Sequence, residues 1–365
     1  MIKTIKIKTA TQKCNILKVV LYSRTSKYYE NILFVKMASK MFVTLPGGLK
    51  MPALGLGTWQ AKDKNELVNA LNSALEVGYR HIDTAFVYEN EKIIGDVLKQ
   101  WFTSGKLKRE DLFITTKLPM YGVHPDRVEF FMKKSLENLQ IDYVDLYLIH
   151  FPIGFKYDSS TGRPLLNDKQ QMVTEGKTDH AAVWKKMEEQ VDAGRTKTIG
   201  LSNYNISQIE TVLKSARIKP ANLQVELHVY LQQRALVDFC HKNDITVVAY
   251  SPLASPGYNK FLQGLGKEPK KLPEILSDPV VNKIAKKHSK TPAQVVLRFL
   301  LQRGIAAIPK SVTPKRLQEN INIFDFKLDD NEFKEMWNLE VGEDARVCDF
   351  RLFNIEDHPD FPMKR

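Results

Sequence analysis

Apolar and polar positions along most of the chain alternate in a way that predicts helices separated by short strands. One amphipathic helix is predicted after Asp63-Lys-Asn-Glu66, a pattern typical of a capping box. Two more helices are predicted to begin at Pro125 and just after Thr291. Between such helices lie eight short apolar runs that predict buried strands, at residues 54–57, 81–83, 112–118, 143–150, 198–201, 223–227, 246–250 and 305–308.

This alternation predicts parallel strands joined by right-handed helical crossovers. Eight such units over about 280 residues suit a closed barrel better than an open sheet. An open Rossmann sheet is the alternative, but Gly55-Leu-Gly57 continues as Thr-Trp-Gln and lacks the third glycine of that fold's dinucleotide motif. We therefore predict an α/β protein that forms a single-domain (β/α)8 TIM barrel.

The positive charge is concentrated at the N-terminus. The net charge is +12, and residues 1–36 hold seven Lys, one Arg and one Glu, or +7. No apolar stretch there is long enough to span a bilayer, and Lys18 interrupts the nearest approach to a signal-peptide core. We predict a basic extension at 1–36, disordered or absent from the mature protein, and a barrel domain at 37–365; an organellar transit peptide is the alternative. The barrel is only mildly basic, so neither nucleic-acid nor membrane binding is expected.

Cysteine usage indicates a reducing compartment. The three cysteines, Cys14, Cys240 and Cys348, are too few and too scattered for a disulfide framework or a paired-cysteine metal site. A cytoplasmic protein without a bound metal is therefore expected. Cys348 is either a reactive thiol or a small buried apolar residue.

Four polar residues follow the predicted strands at a spacing that could form one site. Asp83, Lys117 and His150 end the second, third and fourth apolar runs, and Tyr88 comes five residues after Asp83. In a barrel the C-terminal ends of the strands share one rim, so all four side chains can converge. Each also has a simpler interpretation, as a helix cap, a packed aromatic, a surface charge or a hydrogen-bonded polar residue. A charge at the end of an apolar run needs a partner, which favours a joint role.

With these four residues, the chain resembles the aldo-keto reductase superfamily from about residue 43 to the C-terminus. Further motifs of that family occur in the expected order: Gly200-Leu-Ser-Asn203, Gln224-Val-Glu-Leu-His228, Tyr250-Ser-Pro-Leu253, and Ile308-Pro-Lys-Ser-Val-Thr-Pro-Lys-Arg316 with Glu319-Asn320. The resemblance implies a monomer that reduces an aldehyde or ketone to an alcohol with NADPH. It also implies a catalytic tetrad of Asp83, Tyr88, Lys117 and His150.

The chemistry of carbonyl reduction agrees with these roles. A proton must reach the developing alkoxide, and a free phenol, with a pKa of about 10, is a weak acid at neutral pH. The Lys117 ammonium is expected to lower the pKa of Tyr88, the general acid, while Asp83 keeps Lys117 charged. His150 is expected to hydrogen-bond the substrate carbonyl.

The same resemblance implies the cofactor and substrate residues. For NADPH these are Ser202, Asn203, Gln224 and Tyr250 at the nicotinamide, Ser251, Leu253 and Ser255 at the pyrophosphate, Lys310, Ser311 and Arg316 at the 2′-phosphate, and Glu319 and Asn320 at the adenine. For the substrate they are Trp59, Phe86, His150 and Phe151, with the C-terminal residues Val347, Cys348, Phe350 and Leu352. Without the resemblance, caps and core packing would explain most of them.

The predicted substrate pocket departs from the sugar-reducing pattern of this family. Pro119-Met120 and Phe151 stand where such members commonly have tryptophans. We therefore expect apolar aldehydes or bulkier, steroid-like ketones as substrates. The alternatives are an aldose reductase and a non-catalytic, NADPH-sensing partner subunit.

Overall fold

A closed barrel of eight parallel strands forms the centre of the computed structural model, which describes residues 41–363. Its strands are β1 (Leu56–Gly57), β2 (His81–Asp83), β3 (Phe113–Leu118), β4 (Val144–Ile149), β5 (Thr196–Ser202), β6 (Asn222–Glu226), β7 (Thr246–Tyr250) and β8 (Ala306–Ala307). Each strand pairs with the next along the chain. All eight coincide or overlap with the predicted runs, which confirms the (β/α)8 barrel. The predicted extension at 1–36 lies outside the described residues.

Helices surround the barrel, and they include the three that the sequence predicts. They are α1 (Lys64–Glu76), α2 (Glu91–Thr103), α3 (Val128–Leu139), α4 (His180–Asp192), α5 (Ile206–Ser215), α6 (Arg234–Lys242), α7 (Tyr258–Gly264), α8 (Pro279–His288), α9 (Pro292–Gln302), α10 (Pro314–Ile321) and α11 (Asp330–Trp337). Asp63 accepts the Glu66 amide at 2.8 Å and so caps α1, but the reciprocal bond of the predicted capping box is not formed. Three helices, α7 to α9, connect β7 to β8, so this connection is the longest of the barrel.

The barrel closes between its first and last strands through a glycine. Parallel bridges join Leu54 to Ala307 and Gly57 to Lys310. A Cβ atom at Gly57 would lie 2.6 Å from the carbonyl oxygen of Ile308, closer than real Cβ contacts. The second glycine of the Gly55-Leu-Gly57 motif therefore allows close approach of two strands.

An N-terminal hairpin covers one end of the barrel. Its strands are Phe42–Thr44 and Lys50–Pro52. Leu45 and Met51 of this hairpin are buried in one apolar cluster with Phe113, the first residue of β3. Because the hairpin covers the N-terminal ends of the strands, the C-terminal ends are the open face of the barrel.

The described residues contain no helix long and apolar enough to cross a membrane. The longest helices, α1, α2 and α4, have 13 residues each, whereas a membrane-spanning helix needs about 20. Within 41–363 there is also no group of three or more His, Cys, Asp or Glu side chains that could hold a metal ion.

Candidate active site

The C-terminal rim of the barrel brings the four predicted catalytic residues together. Asp83 is the last residue of β2, Lys117 lies one residue before the end of β3, and His150 directly follows β4. Tyr88 ends a short 3-10 turn, Phe86–Tyr88, which follows β2. Neighbouring parallel strands therefore supply three of the side chains, and the first loop supplies the fourth.

Lys117 and Asp83 form a buried ion pair at the centre of this rim. The Lys117 ammonium donates to Asp83 Oδ1 at 2.6 Å and to the Thr84 carbonyl at 2.8 Å. The other carboxylate oxygen of Asp83 accepts from the Gln224 amide at 2.7 Å. Lys117 has no exposed surface, so burial lowers its pKa, and the nearby Asp83 carboxylate opposes this shift. A buried charge pair with its remaining hydrogen bonds filled is compatible with this burial.

The hydroxyl of Tyr88 lies next to this pair. Lys117 Nζ is 3.4 Å from the Tyr88 hydroxyl oxygen. Burial, followed by the charge of Asp83 and the neighbouring Cys348, raises the pKa of Tyr88 well above its ordinary value. The net direction is therefore opposite to the lowering expected from Lys117, because burial is the largest effect on this phenol. The phenol keeps its proton at neutral pH and can act as a donor.

His150 faces Tyr88 as a neutral imidazole. The two ring centroids are 5.6 Å apart, at an interplanar angle of 74°. Burial, assisted by the charge of Lys117, holds the pKa of His150 well below its ordinary value. Its buried Nδ1 has no hydrogen-bond partner among the described residues. A buried polar atom without a partner is costly and indicates a place where a water or a ligand would bind.

Most of the predicted site residues line one cleft above this rim. Its volume is about 810 Å³, within the usual range for a cofactor or substrate site. The predicted residues in its wall are Trp59, Asp83, Tyr88, His150, Phe151, Asn203, Gln224, Tyr250, Ser251, Leu253, Ser255, Lys310, Ser311, Arg316, Glu319, Asn320, Cys348, Phe350 and Leu352. Lys117 and Ser202 are buried outside the wall. Phe86 is also outside it, because its ring packs against Phe131 at 5.2 Å.

The residues predicted to hold a nicotinamide are hydrogen-bonded to one another. Tyr250 donates its hydroxyl to Asn203 Oδ1 at 2.7 Å, and Asn203 Nδ2 donates to the His150 carbonyl at 2.9 Å. The amide nitrogen of Gln224 donates to Asp83, a contact that was not predicted. These bonds position Tyr250 and Asn203 beside His150 and place Gln224 against the ion pair.

The turn after β7 has an unusual backbone at the cleft. Ser251, Ala254 and Ser255 all have positive φ angles, of 47°, 54° and 41°. Each non-glycine residue in this region costs about 1–3 kcal/mol, and such residues concentrate where a ligand is bound. The Ser255 hydroxyl donates to Ser251 Oγ at 2.7 Å, which fixes both side chains in the cleft wall.

Aromatic rings form much of the remaining wall. Phe350 packs on Phe151 with ring centroids 4.5 Å apart. Since Phe151 has no exposed surface, Phe350 presents the apolar surface to the cleft at this point. Val347 is also fully buried. Further aromatic residues of the wall, Tyr258, Phe261 and Phe353, were not predicted, although the first two lie at helical spacing just after the Tyr250-Ser-Pro-Leu253 motif.

A buried carboxylate holds the C-terminal segment against the barrel. Glu226, at the end of β6, accepts the backbone amides of Val347 and Cys348 at 2.7 and 2.6 Å. Burial alone would raise the pKa of Glu226, but His228, the Val347 amide and the charge of Arg346 lower it overall. Glu226 lies inside the Gln224-Val-Glu-Leu-His228 motif, yet its contact with residues over 100 positions away cannot be read from the motif.

Comparison with known proteins shows which family has this barrel and site. The model of the Aldo/keto reductase family matches residues 53–340, from the strand that opens the barrel to beyond its last helix. The chain belongs to the aldo-keto reductase family. The predicted family is thereby confirmed, and the chain is an oxidoreductase of a family whose members generally use NADP(H) on carbonyl groups.

Similar aldo-keto reductases come from several animals. Aldo-keto reductase family 1 member A1 of Gallus gallus is 42% identical over 299 residues, which cover 82% of this chain and 88% of that protein. Aldo-keto reductase family 1 member C4 of Macaca fascicularis is 39% identical over 325 residues, which cover 88% and 97%. The solved structure of the aldose reductase from Schistosoma japonicum matches with a TM-score of 0.78 and 38% identity, and covers 89% of this chain and 99% of that one.

Proposed function

We propose that this aldo-keto reductase reduces aldehydes and ketones to alcohols with NADPH, and that Tyr88 donates the proton. The observation that carries the proposal is the fully buried Lys117, which touches both the Asp83 carboxylate and the Tyr88 hydroxyl at the base of the cleft. A site of this kind can stabilise an alkoxide by hydrogen bonds and proton transfer.

Three members of the tetrad would act directly on the reacting groups or on the proton donor. NADPH, when bound, supplies the hydride for the carbonyl carbon. Tyr88 would hold its proton until the carbonyl oxygen gains negative charge and would then donate it from the hydroxyl oxygen. Lys117, 3.4 Å away, would hydrogen-bond the phenolate that remains. His150, kept neutral, would donate an N–H to the carbonyl oxygen and so orient it.

The far end of the cleft fits the phosphate of NADPH. Lys310, Ser311 and Arg316 line the cleft around the start of α10. The nearby carboxylates of Glu319 and Asp325 pair with Lys315 and Lys290. Among residues 41–363, neither Lys310 nor Arg316 forms an ion pair with a carboxylate, which leaves both cations available. Two cations near a helix N-terminus favour a phosphate dianion. Glu319 and Asn320 lie further along α10 and would contact the adenine.

Removal of these cations is expected to reduce the preference for NADPH. The variants Lys310→Met and Arg316→Met should each raise the Kd for NADPH about tenfold or more, because each loses a charge-assisted hydrogen bond. The Kd for NADH, which lacks the 2′-phosphate, should change less than about threefold. Fluorescence titration with both cofactors measures this difference. Lys327→Met, on an exposed lysine outside the cleft, is the control. Equal weakening of NADH and NADPH would contradict the assignment.

The substrate half of the cleft favours apolar carbonyl compounds. Trp59 packs against Phe261 at 5.2 Å, and Phe350 covers Phe151 on another part of the wall. Met120, from the Pro119-Met120 pair, also lines the cleft. These surfaces would bury an aromatic or aliphatic substrate and offer few partners to the hydroxyl groups of a sugar.

A substrate panel tests the proposed function directly. Oxidation of NADPH should be followed with aromatic aldehydes, keto-steroids and free sugars. The highest kcat/KM is expected for the apolar compounds, and Phe350→Ala should lower it about tenfold for an aromatic aldehyde through lost apolar contact. Phe130→Ala, on an exposed phenylalanine of α3, is the matched control. A maximum for glucose or xylose would instead support a sugar reductase, and NADPH binding without any turnover would support a sensing subunit.

A further inference from the structure

One lysine of the β7 to β8 connection hydrogen-bonds to the C-terminal segment, and both of these regions line the cleft. Lys270 lies between α7 and α8, in the connection that also carries Ser251, Ser255 and the aromatic residues of α7. Its ammonium donates to the Val347 carbonyl and contacts Asp349 Oδ2 at 3.2 Å. Both acceptors belong to the C-terminal segment, which carries Cys348 and Phe350 into the cleft.

Lys270 is itself held in place on its own loop. Its backbone amide donates to Asn259 Oδ1 at 2.9 Å, and its carbonyl accepts from Asn259 Nδ2 at 2.8 Å. The ammonium lies 5.0 Å from the centroid of the Tyr258 ring, which packs in turn against Trp59 at 6.1 Å. The lysine is therefore a fixed donor, and it lies on the connection that also carries Ser251 and Ser255, the residues assigned to the cofactor pyrophosphate.

Two oppositely charged side chains, Glu226 and Lys270, hydrogen-bond to the C-terminal segment. The Glu226 carboxylate, on the barrel, takes the amides of Val347 and Cys348, while the Lys270 ammonium takes the carbonyl of Val347 and the side chain of Asp349. Backbone amides and oxygen acceptors of residues 347–349 thus both bond to charged side chains. Glu226 is fully buried on a strand, whereas Lys270 is on a loop and 28% exposed at its side chain. Of the two side chains that hold the segment, only Lys270 lies on a loop, so only its contact can change when a loop moves.

We propose that Lys270 is a positioning residue, which couples the cofactor side of the cleft to the shape of the substrate pocket by fixing residues 347–349. This inference rests on the proposed reductase function for its kinetic consequence. Lys270 holds the C-terminal segment and, through it, Phe350 against Phe151. Large apolar substrates that contact Phe350 depend on this interaction between Lys270 and the C-terminal segment, and small aldehydes do not.

The test combines amide exchange with kinetics on the full chain. In Lys270→Met, which keeps the apolar stem and loses the charge, hydrogen exchange of the peptide covering residues 345–353 should accelerate about three- to tenfold, since a partly exposed charged contact is lost. KM for a keto-steroid should rise about fivefold, while its kcat and the KM for a small aldehyde should change less than about twofold. Lys270→Arg, which retains a donor, should restore both values. Asp349→Asn, which keeps an acceptor oxygen but removes the negative charge that faces Lys270, should reproduce part of the effect.

Lys271→Met is the matched control, because Lys271 is the adjacent, exposed lysine. Exchange in Lys270→Met that equals that of Lys271→Met would overturn the proposal. So would an equal loss for large and small substrates, which would indicate a general effect on the fold. Exchange does not require turnover. If the unmodified protein reduces no carbonyl compound, the proposed function fails, and the exchange rates still decide whether Lys270 fixes the segment.

Discussion

Tyr88→Phe is expected to lower kcat for aldehyde reduction about a thousandfold, with the Kd for NADPH changed less than about threefold. The substitution removes one oxygen, the only atom of this side chain that can give a proton to the alkoxide. The ring still packs against His150, so the wall of the cleft is retained. Single-turnover kinetics with NADPH and an apolar aldehyde, together with a fluorescence titration of the cofactor, separate the two quantities.

A second tyrosine provides the control for this prediction. Tyr157 is half-buried like Tyr88, but its ring stacks on Tyr121 outside the cleft. Tyr157→Phe should retain kcat within about twofold. If Tyr88→Phe keeps most of its turnover, another group donates the proton, and the assignment of Tyr88 is wrong.

Lys117→Met is expected to abolish turnover and also to lower the free energy of unfolding by about 3–5 kcal/mol. The stability effect arises because Asp83 would remain 2% exposed, with the Gln224 amide but without its cation. Removal of one member of a buried ion pair costs far more than removal of an exposed one. Denaturant unfolding, monitored by circular dichroism, measures the change.

The double variant Asp83→Asn with Lys117→Met separates stability from catalysis. A neutral amide at position 83 can still accept from Gln224 and leaves no charge unpaired, so about half or more of the lost stability should return. Activity should stay at the level of the single variant, because the cation beside Tyr88 is absent. Strictly additive losses of stability would show that the two side chains are not coupled in this way.

The pattern of apolar residues predicted most of the fold. The apolar positions of α1, predicted from helical spacing, are its buried face, and all eight predicted runs contain or overlap a barrel strand. This succeeded because strand and helix periods are local properties of the sequence. The sequence located α1, α3 and α9, whereas the other helices, among them α7 within the long β7 to β8 connection, were not individually predicted. The cytoplasmic location and the monomeric state remain predictions.

The sequence by itself determined which residues stand at the strand ends. Because parallel strands of a barrel end at one rim, Asp83, Lys117 and His150 had to converge once the fold was specified. Only the tertiary structure decided which partner each group contacts. Gln224 reaches Asp83 across 141 positions, and Glu226 reaches Cys348 across 122. Such distances, and the burial that raises the pKa of Tyr88 despite its neighbouring cation, depend on how the loops pack above the barrel, which no local pattern encodes.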